Sequence, residues 1–157
     1  MELTLPLSLA DLLPHKPPMI LLDGIHLCDA ERIQCGSRSH LDPFNPMRHD
    51  NRLSVFAGVE YAAQAMALHA RLTATGEKDF AQPRKGFLAV ANKLRAHAFD
   101  LDEYKTPLLI EVIKLHGDFN SSQYRFAITV ESRVILEGQL IAVMAEPDMD
   151  LPDPRAS

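Results

Sequence analysis

The chain has no tryptophan, only three tyrosines and no run of lysine or arginine. Its net charge is −5, from 16 basic and 21 acidic residues. It therefore lacks the clustered cations that hold a phosphate backbone, which argues against a nucleic-acid surface. Acidic protein partners stay open, because local basic patches can exist on an acidic chain. Cysteine is scarce as well. Cys28 and Cys35 lie seven residues apart with no CxxC and no third ligand nearby, so a reduced cytosolic pair is expected and a zinc site is not. The histidines form no HxxxH or HxH group, and no metal or other cofactor is expected. The first residues, MELTLPLSLADLLPH, carry Glu2, Pro6 and Asp11 without a basic n-region, unlike a secretory leader. The most apolar stretch is broken by Glu60, Gln64, His69 and Arg71, so no membrane span is expected. A cytoplasmic protein is the expectation.

What is present is an ordinary globular composition, 46% hydrophobic and 24% charged over 157 residues. That is enough for one domain with a full core. Ser8 ahead of LADLL predicts a short helix capped by the serine and stopped before Pro14. Residues 19–27 and 33–41 read as two strands, the first bent at Asp23-Gly24. The segment DPFNPMRHDNRLS, 42–54, reads as an irregular loop of a length that is often functional. Ser54 is placed to cap a long helix and Gly76 to end it. After a polar connection at 77–85, four more strands are expected at 87–99, 107–116, 123–131 and 134–145, with turns at 118–121 and at Ser132-Arg133.

Two strands, one long helix and four antiparallel strands lack the alternation of a doubly wound fold. A single helix of about 27 Å, at 1.5 Å per residue, must bury its apolar surface against one curved sheet. This is the α+β hotdog arrangement, a long central helix wrapped by a curved antiparallel sheet. The domain is expected over 1–146, with the acidic, proline-rich residues 147–157 disordered.

The helix, VFAGVEYAAQAMALHARL at 55–72, is alanine-rich and can be wrapped closely, yet it carries Glu60 with Gln64 one turn later. A carboxylate in such a wrapping needs a partner, because a buried unpaired charge costs several kcal/mol. Burial beside a hydrogen-bonding amide is how catalytic acids are made. A Glu60 that points to solvent is the structural alternative.

Two motifs give the acid a task. LLPHKPPMILLD, residues 12–23, resembles the LPHRxPxLLxD signature of the bacterial hydroxyacyl-carrier-protein dehydratases. GVEYAAQAMA, residues 58–67, resembles their LEAMAQA helix and, more closely, the GIEYMAQA helix of the divergent ApeP-like branch from aryl-polyene gene clusters. The resemblance runs from about residue 5 to 146, with Glu60 on the family's catalytic acid and Gln64 on its glutamine. One departure matters. The GHFPGxP loop that carries the family's histidine is replaced by FNPMRHDNRLSVFAG, with Ser54 where a proline would stand. Two histidines compete for the base: His15 of the LPH motif, which is favoured, and His49 of the loop. Their structural alternatives are a capping or core histidine and a solvated loop histidine.

The resemblance implies dehydration of a 3-hydroxyacyl-[acyl-carrier protein] to the trans-2-enoyl thioester, in fatty-acid-like or aryl-polyene biosynthesis. A histidine base would take the C2 proton, and Glu60, raised by burial, would protonate the departing hydroxyl. Backbone donors at 56–58 would stabilise the enolate oxygen. Phe56, Gly58 and Gln64 would contact substrate. The implied partners are an acyl carrier protein with its phosphopantetheine arm and a second subunit, as a homodimer or as a heterodimer with another hotdog subunit. Two other readings stay open, a hotdog acyl-thioesterase and a non-catalytic partner subunit.

Overall fold

In the computed structural model, residues 8–13, 16–73, 87–117 and 121–144 are described. Ser8 opens α1 (Leu9–Leu12), its N–H and hydroxyl both donating to the Asp11 carboxylate at 3.2 and 2.9 Å. The strands are β1 (Gly24–Cys28), β2 (Arg32–Ser37), β3 (Phe87–Ala96), β4 (Leu108–Gly117), β5 (Ser121–Val130) and β6 (Arg133–Met144). Between β2 and β3 runs α2 (Gly58–Leu72), led in by a 3-10 turn at Val55–Ala57. The described strands form one antiparallel sheet in the order β1-β2-β4-β5-β6-β3.

Strand alternation builds the core. Ile33 and Cys35, Leu108, Ile110 and Val112, Tyr124, Phe126 and Ile128, and Leu136 and Leu140 all turn inward and are buried. Tyr61, Ala62, Ala65, Met66 and Leu68 of α2 join them in one cluster. This is the hotdog fold. Gly58 sets how close the helix can come. A Cβ there would lie 2.5 Å from Ile128 Cδ1 and 2.8 Å from Leu136 Cδ2, so the missing side chain serves packing of the helix start onto β5 and β6.

Two expected strands are shorter than their hydropathy suggests. Strand β1 starts at Gly24, and residues 19–22 lie outside it, where Gln64 accepts Leu21 N–H and donates to Met19 C=O. Strand β2 stops at Ser37. There the Asp23 carboxylate accepts Arg38 N–H at 2.6 Å, and Ser39–Leu41 coils into a 3-10 turn. The β5–β6 turn sits one residue earlier than expected, at Glu131 and Ser132, whose φ values of 50° and 65° fit the tight turns that match strand twist. Gly76, the connection at 77–85, the turn residues 118–120 and the tail lie outside the described residues. No helix among the described residues is long and apolar enough to cross a membrane.

Candidate functional site

Ser54 caps the 3-10 turn before α2, its hydroxyl accepting Phe56 N–H at 3.2 Å. Ala57 N–H donates to Ser54 C=O at 3.0 Å, and Gly58 N–H bonds back to Val55 C=O. The backbone donors expected to await a substrate oxygen at 56–58 are thus engaged within the chain, because the 3-10 lead-in turn consumes them. Glu60 and Tyr61 follow in the first turn of α2. Glu60 is half-buried rather than enclosed, because it belongs to a side of the helix, with Val59 and Ala63, that the sheet of one chain leaves partly open.

Gln64 is fully buried and its orientation is fixed. Its Oε1 accepts Leu21 N–H at 2.9 Å, so Nε2 is the donor, to Met19 C=O at 2.6 Å and to Glu60 Oε1 at 3.4 Å. The amide therefore joins the acid to residues 19–21, which stand four to six positions after His15. His15 itself lies outside the described residues.

A second polar cluster adjoins the first. Tyr61, fully buried, has its hydroxyl 2.8 Å from Ser39 Oγ and accepts from Asn45 Nδ2 at 3.0 Å. Burial pushes the phenol pKa up, against the lowering pull of those two bonds, so it stays a neutral donor. Ser37 and Ser39 hydroxyls both donate to Leu21 C=O at 2.6 Å. Tyr61, Ser39 and Asn45 were not singled out in the sequence. Their only signal was the tyrosine beside the acid in an otherwise aliphatic helix.

The 42–54 loop is held rigidly. Arg48 donates to Asp42 C=O at 2.8 Å, to His40 C=O at 2.9 Å and to Asp102 at 2.9 Å. Burial works against the Asp102 carboxylate, but Arg48 and Leu53 N–H hold its pKa below the usual range. His49 closes a tight hairpin with Arg52 across Asp50 and Asn51, whose φ values are 51° and 63°. Its side chain is 92% exposed and pairs with Asp50 at 3.4 Å. An open cleft of about 900 Å³ is lined there by His49, Arg52, Phe56, Phe99 and Asp100 among others, and Glu60 is not among its lining residues. The structure thus brings Glu60 and Gln64 together, sets Phe56 on the cleft next to His49, and turns Gly58 to the sheet. Among the described residues no group of His, Cys, Asp or Glu is arranged to hold a metal ion. Cys28 and Cys35 are free, and burial pushes the Cys35 thiol up to about 12.

The ApeP-like family model, described as ApeP dehydratase, matches residues 7–151. No curated protein matches the sequence. Among solved structures, the chain is similar to the dehydratase heterocomplex ApeI:P from Xenorhabdus doucetiae, at 19% identity over 90% of this chain and 93% of that chain, with a TM-score of 0.76. A conserved protein from Pseudomonas aeruginosa aligns at 14% identity over 86% of this chain and 97% of its own, TM-score 0.55. A thioesterase from Haemophilus influenzae aligns at 13% identity over 78% and 77%, TM-score 0.50. At such identities these structures speak for the fold.

Proposed function

This chain belongs to the ApeP-like family of dehydratases, and from that premise we propose that it dehydrates a 3-hydroxyacyl group carried as a thioester on an acyl carrier protein, in aryl-polyene biosynthesis. The observation that carries the reading is the Gln64 bond to Glu60 on an open side of α2. An acid held by a fixed amide at the edge of a dry helix can meet a substrate without rearrangement.

In the reaction, a base removes the C2 proton and the C2–H electron pair becomes the C2–C3 double bond. The C3–O bond breaks, and the hydroxyl leaves as water with the proton from Glu60. Gln64 Nε2 donates to Glu60 Oε1, which restrains that oxygen. His15 is favoured as the base, because the segment that follows it in sequence is the one tied to Gln64. His49, at the exposed cleft, is the alternative and would act from a second subunit. The cleft beside Phe56 is proposed to take the acyl group or the pantetheine arm. The second subunit is proposed to be another hotdog chain, a reading supported by the likeness to a structure described as a dehydratase heterocomplex.

The test is intact-mass measurement of a 3-hydroxyacyl-carrier protein incubated with the chain, alone and with a second hotdog subunit. Loss of one water is expected, with a conjugated enoyl product and no release of free thiol. Glu60→Gln is expected to lower the rate by about 10²–10⁴-fold, the range for loss of a general acid, with the circular dichroism unchanged. Thiol release without dehydration would replace this reading with that of a thioesterase, and full activity in the variant would remove Glu60 from the site.

A further inference from the structure

The two polar clusters around α2 share one residue, Leu21, through its two flanking peptide groups. Leu21 C=O receives the Ser37 and Ser39 hydroxyls, and Leu21 N–H is held by Gln64. The direction of each hydrogen bond follows from the ends of the chain. Asn45 Oδ1 accepts Met47 N–H at 2.9 Å, so Asn45 Nδ2 donates, to Ser39 C=O at 2.8 Å and to the Tyr61 oxygen. Leu21 C=O can only accept. With a pure donor at one end and a pure acceptor at the other, Tyr61 O–H donates to Ser39 Oγ, and Ser39 O–H donates to Leu21 C=O. One bond further, across the same residue, Leu21 N–H orients Gln64, and Gln64 donates to Glu60.

We propose that Tyr61 is a positioning residue of the Glu60 site: its hydroxyl, midway in a one-way donor chain from Asn45 through Ser39 to Leu21, holds the residue that Gln64 grips and so keeps Gln64 against Glu60. It touches no reacting atom. Because the chain begins in the 42–54 loop, that loop and the acid on α2 are mechanically joined. A buried donor left without its acceptor is costly, so the chain resists a slip at any one link. The proposal rests on the reading of Glu60 as the catalytic acid, and it names which neighbour on the helix keeps that acid in register.

A matched pair of variants separates positioning from plain stability. Tyr61→Phe and Tyr124→Phe each remove one buried phenol hydroxyl at α2, but the Tyr124 hydroxyl serves His69, nine residues beyond Glu60. Two quantities are measured: hydrogen exchange at the Leu21 amide, and kcat and KM on a 3-hydroxyacyl-carrier protein. Tyr61→Phe is expected to speed Leu21 exchange about tenfold or more, equivalent to about 1.4 kcal/mol of lost protection, and to lower kcat with KM nearly unchanged. Tyr124→Phe is expected to leave both as in the wild type. Ser39→Ala cuts the same chain at its next link and must reproduce the Tyr61→Phe signature, which keeps the test decisive if one variant folds poorly. Unchanged Leu21 exchange in Tyr61→Phe, or equal loss of kcat in the two phenylalanine variants, overturns the proposal. If the wild type dehydrates no carrier-bound 3-hydroxyacyl group, the functional reading fails on its own, and Leu21 exchange alone then decides whether Tyr61 holds this register.

Discussion

His69 is enclosed between α2 and the sheet, with Nδ1 3.1 Å from the Tyr124 hydroxyl and Nε2 2.9 Å from Asp29 C=O. A neutral ring fits both, donating to the carbonyl from Nε2 and accepting the phenol proton at Nδ1. Burial holds its pKa below the ordinary histidine value, although the Asp29 carbonyl pulls the other way. His40 is shifted in the same direction, again first by burial. The unfolded chain therefore binds more protons than the folded one as pH falls. The stability these neutral rings contribute is complete above about pH 6.5, the unfolded value, and is lost progressively below it as pH approaches the folded value. Urea midpoints are expected to drop between about pH 7.5 and pH 5, each histidine contributing a slope of at most about 1.4 kcal/mol per pH unit. His69→Gln should flatten that slope, and an unchanged slope would clear His69 of the effect. At this scale the sequence exposed Glu60 and Gln64, because an acid and an amide one turn apart stand out in an alanine-rich helix. It could not expose the Tyr61 chain, whose members Ser39 and Asn45 lie 22 and 16 residues away and meet only when the loop closes.

Helix α2 and the strands from β3 onward were legible because their periods are long and regular, 3.6 for the helix and 2 for the strands. The first two strands were legible only in part. Residues 19–22 are as apolar as a strand, yet Met19 C=O, Leu21 N–H and Leu21 C=O bond to side chains of α2, β2 and Ser39, and Met19 N–H closes a turn onto Lys16 C=O. Hydropathy cannot tell a strand from an apolar segment pinned by a glutamine. The helix start shows how tightly the elements interlock. Gly58 reads in sequence as a substrate contact, whereas the space of its missing Cβ is filled by Ile128 and Leu136 methyls. Gly58→Val would drive branched carbon into both of these fully buried side chains. The expected cost is about 1–3 kcal/mol for overpacking, less whatever the helix gains from losing a glycine. Thermal unfolding of the variant measures it, and a midpoint equal to or above that of the wild type would mean the core yields more readily than its packing implies.

For the whole molecule, the sheet ends in two unlike edges. Strand β1 has five residues and a register break beside His26. Strand β3 has ten residues and pairs in unbroken register with β6 from Phe87 to Asn92. Beyond that, Lys93 at φ 52° and the break between Asn92 and Arg95 twist the strand away. Bulges and short strands blunt an edge, while a regular one invites a partner strand. Val90, 55% exposed, sits within the regular half. Two hotdog sheets joined through this half of β3 would form one continuous sheet, and the side of α2 that one chain leaves half open at Val59, Glu60 and Ala63 is available to a partner subunit. Proline is tolerated on an edge strand where the lost N–H faced solvent, and it removes an outward donor from the pairing edge. Successive N–H groups along a strand point to opposite sides, so of Val90→Pro and Ala91→Pro one removes a bond to β6 and the other an outward donor. The outward variant is expected to keep the far-ultraviolet circular dichroism of the wild type while its sedimentation mass falls from that of a dimer, with itself or with a second hotdog subunit, to that of one chain. Its dehydration rate should fall with the mass if the partner subunit completes the site on the open side of α2. A folded outward variant that retains the dimer mass would place the subunit contact elsewhere, and Glu60 would then have to work on the partly open face that one chain presents.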